Sequence, residues 1–365
     1  METMTQVREL TPDYRMRMAG NVARSDNAVW QYQRMMVGGI IKKRLSWDEI
    51  QSMKKRVERL AGCNKIWDTE TYEASNVKVL LRTFLCKDKF CPNCQAVKRM
   101  VLWNRLQPYM EQHKDSLYHM TLTVPDCTGE ELYDTVRHMA RCFKILTGYL
   151  EGNRKVRGKV LFPFDYKGCF RSLEIKCKGE NLYHPHFHVV AVLGNSDALE
   201  DKHIVNEFSR SKGHDYRLFS DVEVTIQRLW WLLINGQRRS YHNIVENDSL
   251  GRYSCVIDKY QPDECERLIA YVVKGSPTVG IADEDFRTLY HTLQNCRQIQ
   301  GYGDLYHVKS VEGTKDYSEQ DYQALEQYII NGEQPVCQYE GTGRLAYDNQ
   351  YIMLRGKYQP RNLKH

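Results

Sequence analysis

The sequence predicts an α+β fold in which a central antiparallel sheet is flanked by helices and preceded by a small cysteine-rich module. The first observation is a set of short segments in which apolar and polar residues alternate, as they do in strands, at residues 117–124, 168–177, 184–193 and 253–258. The second is the helical spacing of apolar residues in the longer stretches between them. The third is the concentration of four cysteines within residues 63–94.

The helices are predicted from capping residues and apolar spacing. Residues 1–45 are polar and mixed in charge, and we expect partial disorder or a peripheral helix there. Ser46, followed three positions later by Glu49, predicts a capping box at the start of a helix that ends near Leu60. Apolar residues at helical spacing predict further helices at residues 95–114, 130–150 and 287–299.

Between these helices the remaining segments are less regular. Residues 195–217 are polar, and we expect a helix and a loop there. Residues 222–235 are apolar and contain Trp230 and Trp231. Pro262 is expected to start another helix, because proline is well tolerated in a first helical turn.

These patterns divide the chain into four parts. We expect a helical, partly disordered segment at residues 1–62 and a cysteine module with a basic helix at residues 63–115. The sheet domain is expected at residues 116–310. A C-terminal extension, in which the patterns weaken, follows at residues 311–365.

Composition limits the class of protein. With 365 residues, 42% of them hydrophobic and 27% charged, the chain resembles an ordinary soluble globular protein and is long enough for one large domain or two modest ones. Its net charge of +6 and pI of about 8.6 are compatible with a nucleic-acid partner. There is no apolar run near 18 residues and no signal-peptide pattern at Met1–Gln6. We therefore expect a cytoplasmic protein with no membrane partner.

The cysteine cluster predicts a structural zinc site. Cys86, Cys91 and Cys94 lie close together, and Cys63 stands 23 residues before Cys86. Four thiolates around a tetrahedral Zn²⁺ form the usual closed structural site. A thioredoxin-like redox pair is the rival interpretation, but it leaves Cys86 unexplained. We interpret the other eight cysteines as small buried apolar residues.

A second candidate metal site lies on the segment that contains three histidines at alternate positions. His184, His186 and His188 share one face if this segment is a strand. A hairpin centred near Glu180 would place Glu174 opposite His186, whereas a one-residue slip would move Glu174 to the other face. Two imidazoles and one carboxylate would suit Mg²⁺ or Mn²⁺ and a phosphate oxygen. A tolerated surface cluster of histidines is the alternative.

Four motifs resemble those of a known family. His186-Phe187-His188 resembles the histidine–apolar–histidine (HUH) motif of endonucleases that cut single-stranded DNA. The chain is similar in particular to plasmid rolling-circle replication initiators with one catalytic tyrosine, in three further motifs at residues 118–125, 168–174 and 268–274. The motifs follow the family's order and, with the cysteine cluster, cover residues from about 60 to 305. The position of Cys63 before the cluster also matches the family.

The resemblance implies an HUH fold whose metal site lies on central antiparallel strands, with a catalytic tyrosine on a nearby helix. It assigns Tyr271 as the nucleophile, which forms a 5′-phosphotyrosine and releases a 3′-hydroxyl that primes a polymerase. Lys274, one helical turn later, would stabilise the phosphate or position the tyrosine. His184 is expected in a loop or as a substrate contact. The implied partners are DNA at a double-stranded origin with a single-stranded nick site, together with a host helicase and DNA polymerase.

One position departs from the family pattern. Such initiators often carry a glutamate four residues before the tyrosine, which activates water for the terminating cleavage, and here that position is Arg267. Glu266 is the nearer match in sequence, and Glu264 shares a helical face with Tyr271. Either glutamate is a candidate for this step.

Three other interpretations stay open. An HUH transposase or relaxase is the nearest, but such transposases often use paired tyrosines, and no second tyrosine lies four residues from Tyr271. The second is a zinc-dependent DNA-binding regulator that lacks cleavage. The third is a metal-binding sensor that does not bind nucleic acid.

Overall fold

The computed structural model describes residues 8–9, 12–42, 44–63, 66–72, 77–83, 85–210, 213–247, 254–260, 281–307, 342–345 and 351–353. The chain divides into two compact units. The cysteine unit consists of the described residues of Met1–Val101, Pro277–Phe286 and Ser310–His365, and the sheet unit consists of those of Leu102–Ser276 and Arg287–Lys309. The sequence-based boundaries at residues 62, 115 and 310 stay predictions.

In chain order, the described helices are α1 (Pro12–Ile41), α2 (Trp47–Gly62), α3 (Pro92–Gln112), α4 (Gly129–Leu150), α5 (Asp197–Glu200), α6 (Asp221–Ile234), α7 (Asp283–Leu293) and α8 (Asp304–His307). The described strands are β1 (Arg8–Glu9), β2 (Ile66–Tyr72), β3 (Val77–Thr83), β4 (Leu117–Thr123), β5 (Cys127–Thr128), β6 (Asp165–Gly179), β7 (Leu182–Gly194), β8 (Ile204–Arg210), β9 (Gly213–Phe219), β10 (Cys255–Lys259), β11 (Ile299–Gly303), β12 (Thr342–Leu345) and β13 (Tyr351–Met353).

An antiparallel sheet forms the centre of the sheet unit. Its strand order is β10-β4-β7-β6-β11, and the short β5 also pairs with β7. Strands β6 and β7 form a hairpin whose two turn residues, Glu180 and Asn181, have φ angles of 52° and 59°. Two successive positive φ angles are typical of a type I′ turn, whose twist matches that of the strands. A bulge between Cys177 and Gly179 then shifts the pairing by one residue and places Glu174 opposite His186, so the predicted register is confirmed.

Helices cover both faces of this sheet. One face of β7 carries His186 and His188 near its start and then Val190 and Val192, which pack in a core with Leu106 of α3. The opposite face carries Phe187 against α4 and α6. The predicted α+β class, with a central antiparallel sheet flanked by helices, is therefore confirmed. Among the described helices, none has the length and apolar character needed to cross a bilayer.

Phe187 stabilises the strand that carries the histidines. Its ring is fully buried, 5.7 Å from the ring of Phe143 and 6.4 Å from that of Trp230, with the Arg171 guanidinium 4.4 Å from its centroid. Phe187→Ala should lower the free energy of unfolding by about 3–5 kcal/mol, because it removes this ring and leaves a cavity. Urea unfolding would measure the loss, with Val160→Ala as an exposed control. Equal stability of the two variants would contradict this packing.

The cysteine unit contains helices α1 and α2 and a sheet of order β1-β3-β2-β12-β13. The capping box predicted at Ser46 is confirmed, since its side chain accepts from the Glu49 N–H and the Glu49 carboxylate accepts from the Ser46 N–H. Buried Tyr32 of α1 makes edge-on ring contacts with Phe90 and Phe286, with centroids 6.2 and 5.0 Å away. Helix α1 therefore packs into this unit, whereas the sequence indicated partial disorder or a peripheral helix for residues 1–45.

Two other expectations are corrected. The helix and loop expected over residues 195–217 are instead the short α5 followed by the β8–β9 hairpin. An isolated two-stranded ribbon has no continuous apolar face, so it lacks the alternation that marks a packed strand. The helix expected at residues 287–299 is α7, which begins at Asp283 with an acidic first turn and ends at Leu293, while residue 299 begins β11. The helix expected after Pro262 lies outside the described residues.

Candidate functional site

The structure brings together three side chains from the two central strands. His186 Nε2 and His188 Nε2 are 3.1 Å apart, and the Glu174 Oε2 atom lies 3.1 and 2.9 Å from them. All three residues are buried, with 3%, 3% and 7% of their surface exposed. The two histidines alternate on β7 and Glu174 lies across the hairpin on β6, so the pleat directs all three side chains to one face.

The donor set fits a divalent cation. Ligands at right angles around an ion, each about 2.1 Å from it, lie about 3.0 Å from one another. The three distances of 2.9–3.1 Å therefore match one face of an octahedron. Two neutral imidazoles and one carboxylate would leave the opposite coordination positions open to phosphate oxygens or water.

The protonation states favour metal binding. Burial alone would raise the pKa of Glu174, but the side-chain interactions with His186 and His188 outweigh it and hold the pKa well below its usual value. Burial lowers the pKa of His188, although the nearby Glu174 carboxylate opposes this shift. At neutral pH the site therefore contains an ionised carboxylate and a neutral imidazole at His188, which are the forms that bind metals.

Each histidine has a contact at its other ring nitrogen. His186 Nδ1 lies 3.4 Å from the carbonyl oxygen of His184. His188 Nδ1 lies 3.2 Å from Nε2 of His119, a residue of β4. Burial, with a smaller contribution from His188, lowers the pKa of His119 to about 4. Sequence analysis did not select His119, because its position depends on the register between β4 and β7, in which Thr121 pairs with His188.

His184 lies on β7 and not in the loop expected for it. Its Nδ1 is 2.7 Å from Asp126 Oδ1, and Lys178 Nζ is 2.6 Å from the other carboxylate oxygen. The His184 ring is 5.5 Å from the ring of His186, but His184 does not belong to the group of converging ligand atoms. His184, Asp126 and Lys178 therefore form a partly exposed group beside the cluster of converging ligand atoms.

The remaining candidates for this site lie in a part of the chain outside the described residues. They are Tyr271, Lys274, Glu264 and Glu266. The described chain stops at Tyr260, just after β10, and resumes at Ile281. The Tyr260 N–H donates to the carbonyl oxygen of Leu117 at 2.9 Å, which attaches the end of β10 to the start of β4. The roles of these four residues stay predictions.

The four clustered cysteines form a second group that could hold a metal ion. The Cys63 Sγ atom is 3.5 Å from that of Cys91 and 3.6 Å from that of Cys94, and the Cys86 and Cys94 Sγ atoms are 3.6 Å apart. Sulfur atoms in a disulfide are about 2.05 Å apart. Ligands about 2.3 Å from a tetrahedral Zn²⁺ would be about 3.8 Å apart. The arrangement therefore fits a closed four-thiolate metal site better than a redox pair.

The surrounding backbone and helices build this cysteine cluster. Cys63 caps the C-terminus of α2, and Cys94 lies in the first turn of α3. The Lys87 N–H donates to Cys94 Sγ at 3.1 Å, and Lys87 itself has a positive φ of 59°. Asp88 fixes the intervening loop, because its carboxylate accepts from the Phe90 N–H at 2.8 Å and lies 3.1 Å from Arg56 Nε.

The thiols of the cluster differ in their tendency to ionise. Hydrogen bonds from Cys63, Cys86 and Cys94 hold the pKa of Cys91 well below its usual value. Hydrogen bonds with Cys86, Cys91 and Cys94, together with burial, raise the pKa of Cys63 well above its usual value. A metal cation at the centre of the cluster would favour ionisation of the thiols that bind it.

A family model matches a region that contains Glu174, His186 and His188 together with three of the four clustered cysteines. The model of the replication protein family matches residues 77–207. Protein rep of Bacillus amyloliquefaciens is 31% identical over 267 residues, which cover 69% of this chain and 71% of that protein. Protein rep of Lentilactobacillus hilgardii is 25% identical over 163 residues, and that of Staphylococcus aureus is 25% identical over 159 residues. These two matches cover 43% and 42% of this chain and 48% and 65% of the relatives.

No solved structure gives a significant match. The match to the Bacillus amyloliquefaciens protein extends over more than two thirds of both chains, and the family model includes Glu174, His186 and His188. The chain therefore belongs to the replication protein family, the plasmid rolling-circle replication initiators that its motifs resemble.

Proposed function

We propose that this chain is an HUH-type endonuclease that nicks and rejoins one DNA strand at a plasmid replication origin. The observation that carries the proposal is the convergence of Glu174, His186 and His188 on one point, within a member of the replication protein family. The substrate would be a double-stranded origin that presents a single-stranded nick site. Host helicase and DNA polymerase would then act on the nicked product.

Glu174, His186 and His188 would hold the catalytic ion, Mg²⁺ or Mn²⁺. Imidazole donors suit transition metals better than Mg²⁺, which prefers oxygen ligands, so this donor set favours Mn²⁺. When bound, the ion would polarise the scissile phosphate and offset the negative charge of the transition state. The burial of the three side chains excludes water from their side of the site and strengthens these electrostatic interactions.

Tyr271 would carry out the covalent step. Its hydroxyl oxygen attacks the phosphorus, and the bond between the phosphorus and the 3′ oxygen breaks. The tyrosine loses one proton and the leaving 3′ oxygen gains one, so the products are a 5′-phosphotyrosine and a 3′-hydroxyl primer. Lys274, one helical turn away if this segment is a helix, would neutralise part of the phosphate charge or orient the tyrosine.

Termination needs a second cleavage. Arg267 occupies the position at which the family often has a glutamate, so we propose that Glu264 or Glu266 activates water in that step. In the cysteine unit, Zn²⁺ bound by Cys63, Cys86, Cys91 and Cys94 would have a structural role, since four protein ligands leave no open position for a substrate.

The proposal is tested by a nicking assay on single-stranded circular DNA from the replicon that encodes the protein. The wild type should cleave in Mn²⁺ or Mg²⁺, form a covalent protein–DNA adduct, and do neither in EDTA. Tyr271→Phe should abolish the adduct and retain DNA binding, because only the nucleophilic oxygen is lost. A folded, zinc-loaded wild type that binds the origin but never cleaves it would contradict the proposal and favour a DNA-binding regulator.

A further inference from the structure

The histidine behind the ligand cluster, His119, belongs to a third strand. Strand β4 lies on the other side of β7 from β6. His119 is diagonal to His188 in this pairing, since its own partner is Val190 and the partner of His188 is Thr121. Diagonal neighbours on one face of a sheet are within reach of long or aromatic side chains. The three strands therefore contribute, in spatial order, His119, His188 and Glu174.

The geometry points to His119 as a positioning residue for metal binding: its Nε2 accepts the Nδ1 proton of His188. This inference rests on the metal site of the proposed function. The two nitrogen atoms are 3.2 Å apart, and the two ring planes differ by 23°. The ring centroids are 5.4 Å apart, close to the largest separation that this nitrogen–nitrogen distance permits, so the two nitrogen atoms lie near the line between the centroids. The N–H of one imidazole can therefore point along the in-plane lone pair of the other, which is the geometry of a hydrogen bond.

The direction of this hydrogen bond follows from the ligand cluster. His188 Nε2 faces Glu174 Oε2 at 2.9 Å and His186 Nε2 at 3.1 Å, so this nitrogen is the one that converges with the other ligands. A neutral imidazole that uses Nε2 as a ligand carries its proton on Nδ1. His188 Nδ1 is then the donor, and His119 Nε2 is the acceptor.

The surroundings of His119 are consistent with a neutral acceptor. Asp258 is its direct cross-strand partner on β10. The Asp258 carboxylate is already paired with Arg217 at 2.7 Å, and Lys202 lies 3.8 Å from it. Two cations therefore offset the charge of Asp258, which reduces its tendency to draw a proton onto His119.

A hydrogen bond of this kind fixes both the tautomer and the ring orientation of a metal ligand. Loss of such a partner typically weakens metal affinity by about 10–100-fold. Here Nε2 of His119, on β4, would hold the His188 ring in place, while the ligating Nε2 atom of His188 faces Glu174 on β6. Metal affinity should therefore depend on an acceptor atom at position 119 and not merely on a side chain that fills the space.

The test measures Mn²⁺ affinity of the full chain by electron paramagnetic resonance of free Mn²⁺. His119→Phe keeps a planar ring but has no acceptor, and it should raise the Mn²⁺ dissociation constant about 10–100-fold. His119→Gln places a carbonyl oxygen near the position of Nε2 and should recover most of the affinity. His242→Phe, at an exposed histidine of the π-helical turn His242–Glu246, serves as the control. Thermal unfolding in EDTA should be the same for both His119 variants.

Each outcome separates this inference from the proposed function. Weak binding by His119→Phe with recovery in His119→Gln supports the inference, even if the wild type never nicks DNA. Wild-type affinity in His119→Phe overturns it and leaves the nicking proposal intact. Equal losses in both variants also overturn it, because they indicate packing and not an acceptor. A wild type that binds no Mn²⁺ overturns the inference and the metal site together.

Discussion

Replacing both His186 and His188 by alanine is expected to abolish Mn²⁺ binding and to slow DNA cleavage by at least about 10³-fold. Removing one electrostatic stabiliser of a transition state typically costs about 10²–10³ in rate, and here the ion itself would be lost. Single-turnover cleavage of an origin oligonucleotide and Mn²⁺ titration would measure the two effects. The affinity for the uncut oligonucleotide should change much less.

His184→Ala is the matched control for metal binding. His184 lies on the same face of β7, two residues from His186, but outside the converging group. Its substitution should leave Mn²⁺ affinity near that of the wild type, within about a factor of three, a smaller change than the 10-fold or greater loss typical of a ligand's direct partner. If the double variant still bound Mn²⁺ and cleaved DNA normally, the three-residue metal site would be wrong.

The second large effect is expected for Cys91→Ser. Cys91 is fully buried, and its Sγ atom lies 3.5 Å from that of Cys63 and 3.4 Å from the hydroxyl of Ser25. Structural zinc sites contribute about 10–16 kcal/mol in zinc-finger peptides at neutral pH, so loss of one ligand should unfold the surrounding module. The measured zinc content should fall from one ion per chain toward zero. Limited proteolysis should cut the variant first within the cysteine unit.

Cys296→Ser, at a half-buried cysteine outside the cluster, should retain both zinc and resistance to proteolysis. Chelation of the wild type should reproduce the effect of Cys91→Ser, because it removes the same ion. A wild type that keeps its resistance to proteolysis after chelation, or a Cys91→Ser variant that keeps its zinc, would contradict the four-thiolate site.

The register of the metal-site hairpin is predictable from a short stretch of sequence. Alternating residues indicate the two strands, and a turn centred at Glu180 leaves one arrangement that places Glu174 opposite His186. The observed two-residue turn at Glu180 and Asn181 would by itself pair Glu174 with Phe187, and a bulge between Cys177 and Gly179 restores the predicted pairing with His186. The predicted pairing is right because a hairpin depends on contacts between neighbouring segments, but the alternation of residues did not reveal the bulge on which that pairing depends.

Other features depend on contacts between distant segments. The contact of His119 with His188 requires the register of β4 and β7, which are separated in the chain by α4 and β6, and local patterns do not determine that register. The packing of α1 follows from contacts such as that of Tyr32 with Asp88, which is 56 residues away. The β8–β9 hairpin was missed because its polar residues resemble those of a loop. The roles of Tyr271 and Lys274 rest on the family motif and not on described geometry.

Mapping the covalent adduct tests the central claim most directly. The full chain would be incubated with single-stranded origin DNA and Mn²⁺, digested with a protease, and examined by mass spectrometry for peptides that carry a nucleotide. Our account predicts one phosphotyrosyl linkage, at Tyr271, which is absent in EDTA and in the His186 and His188 double variant. An adduct on another of the 24 tyrosines, or one that forms equally well in EDTA, would contradict it.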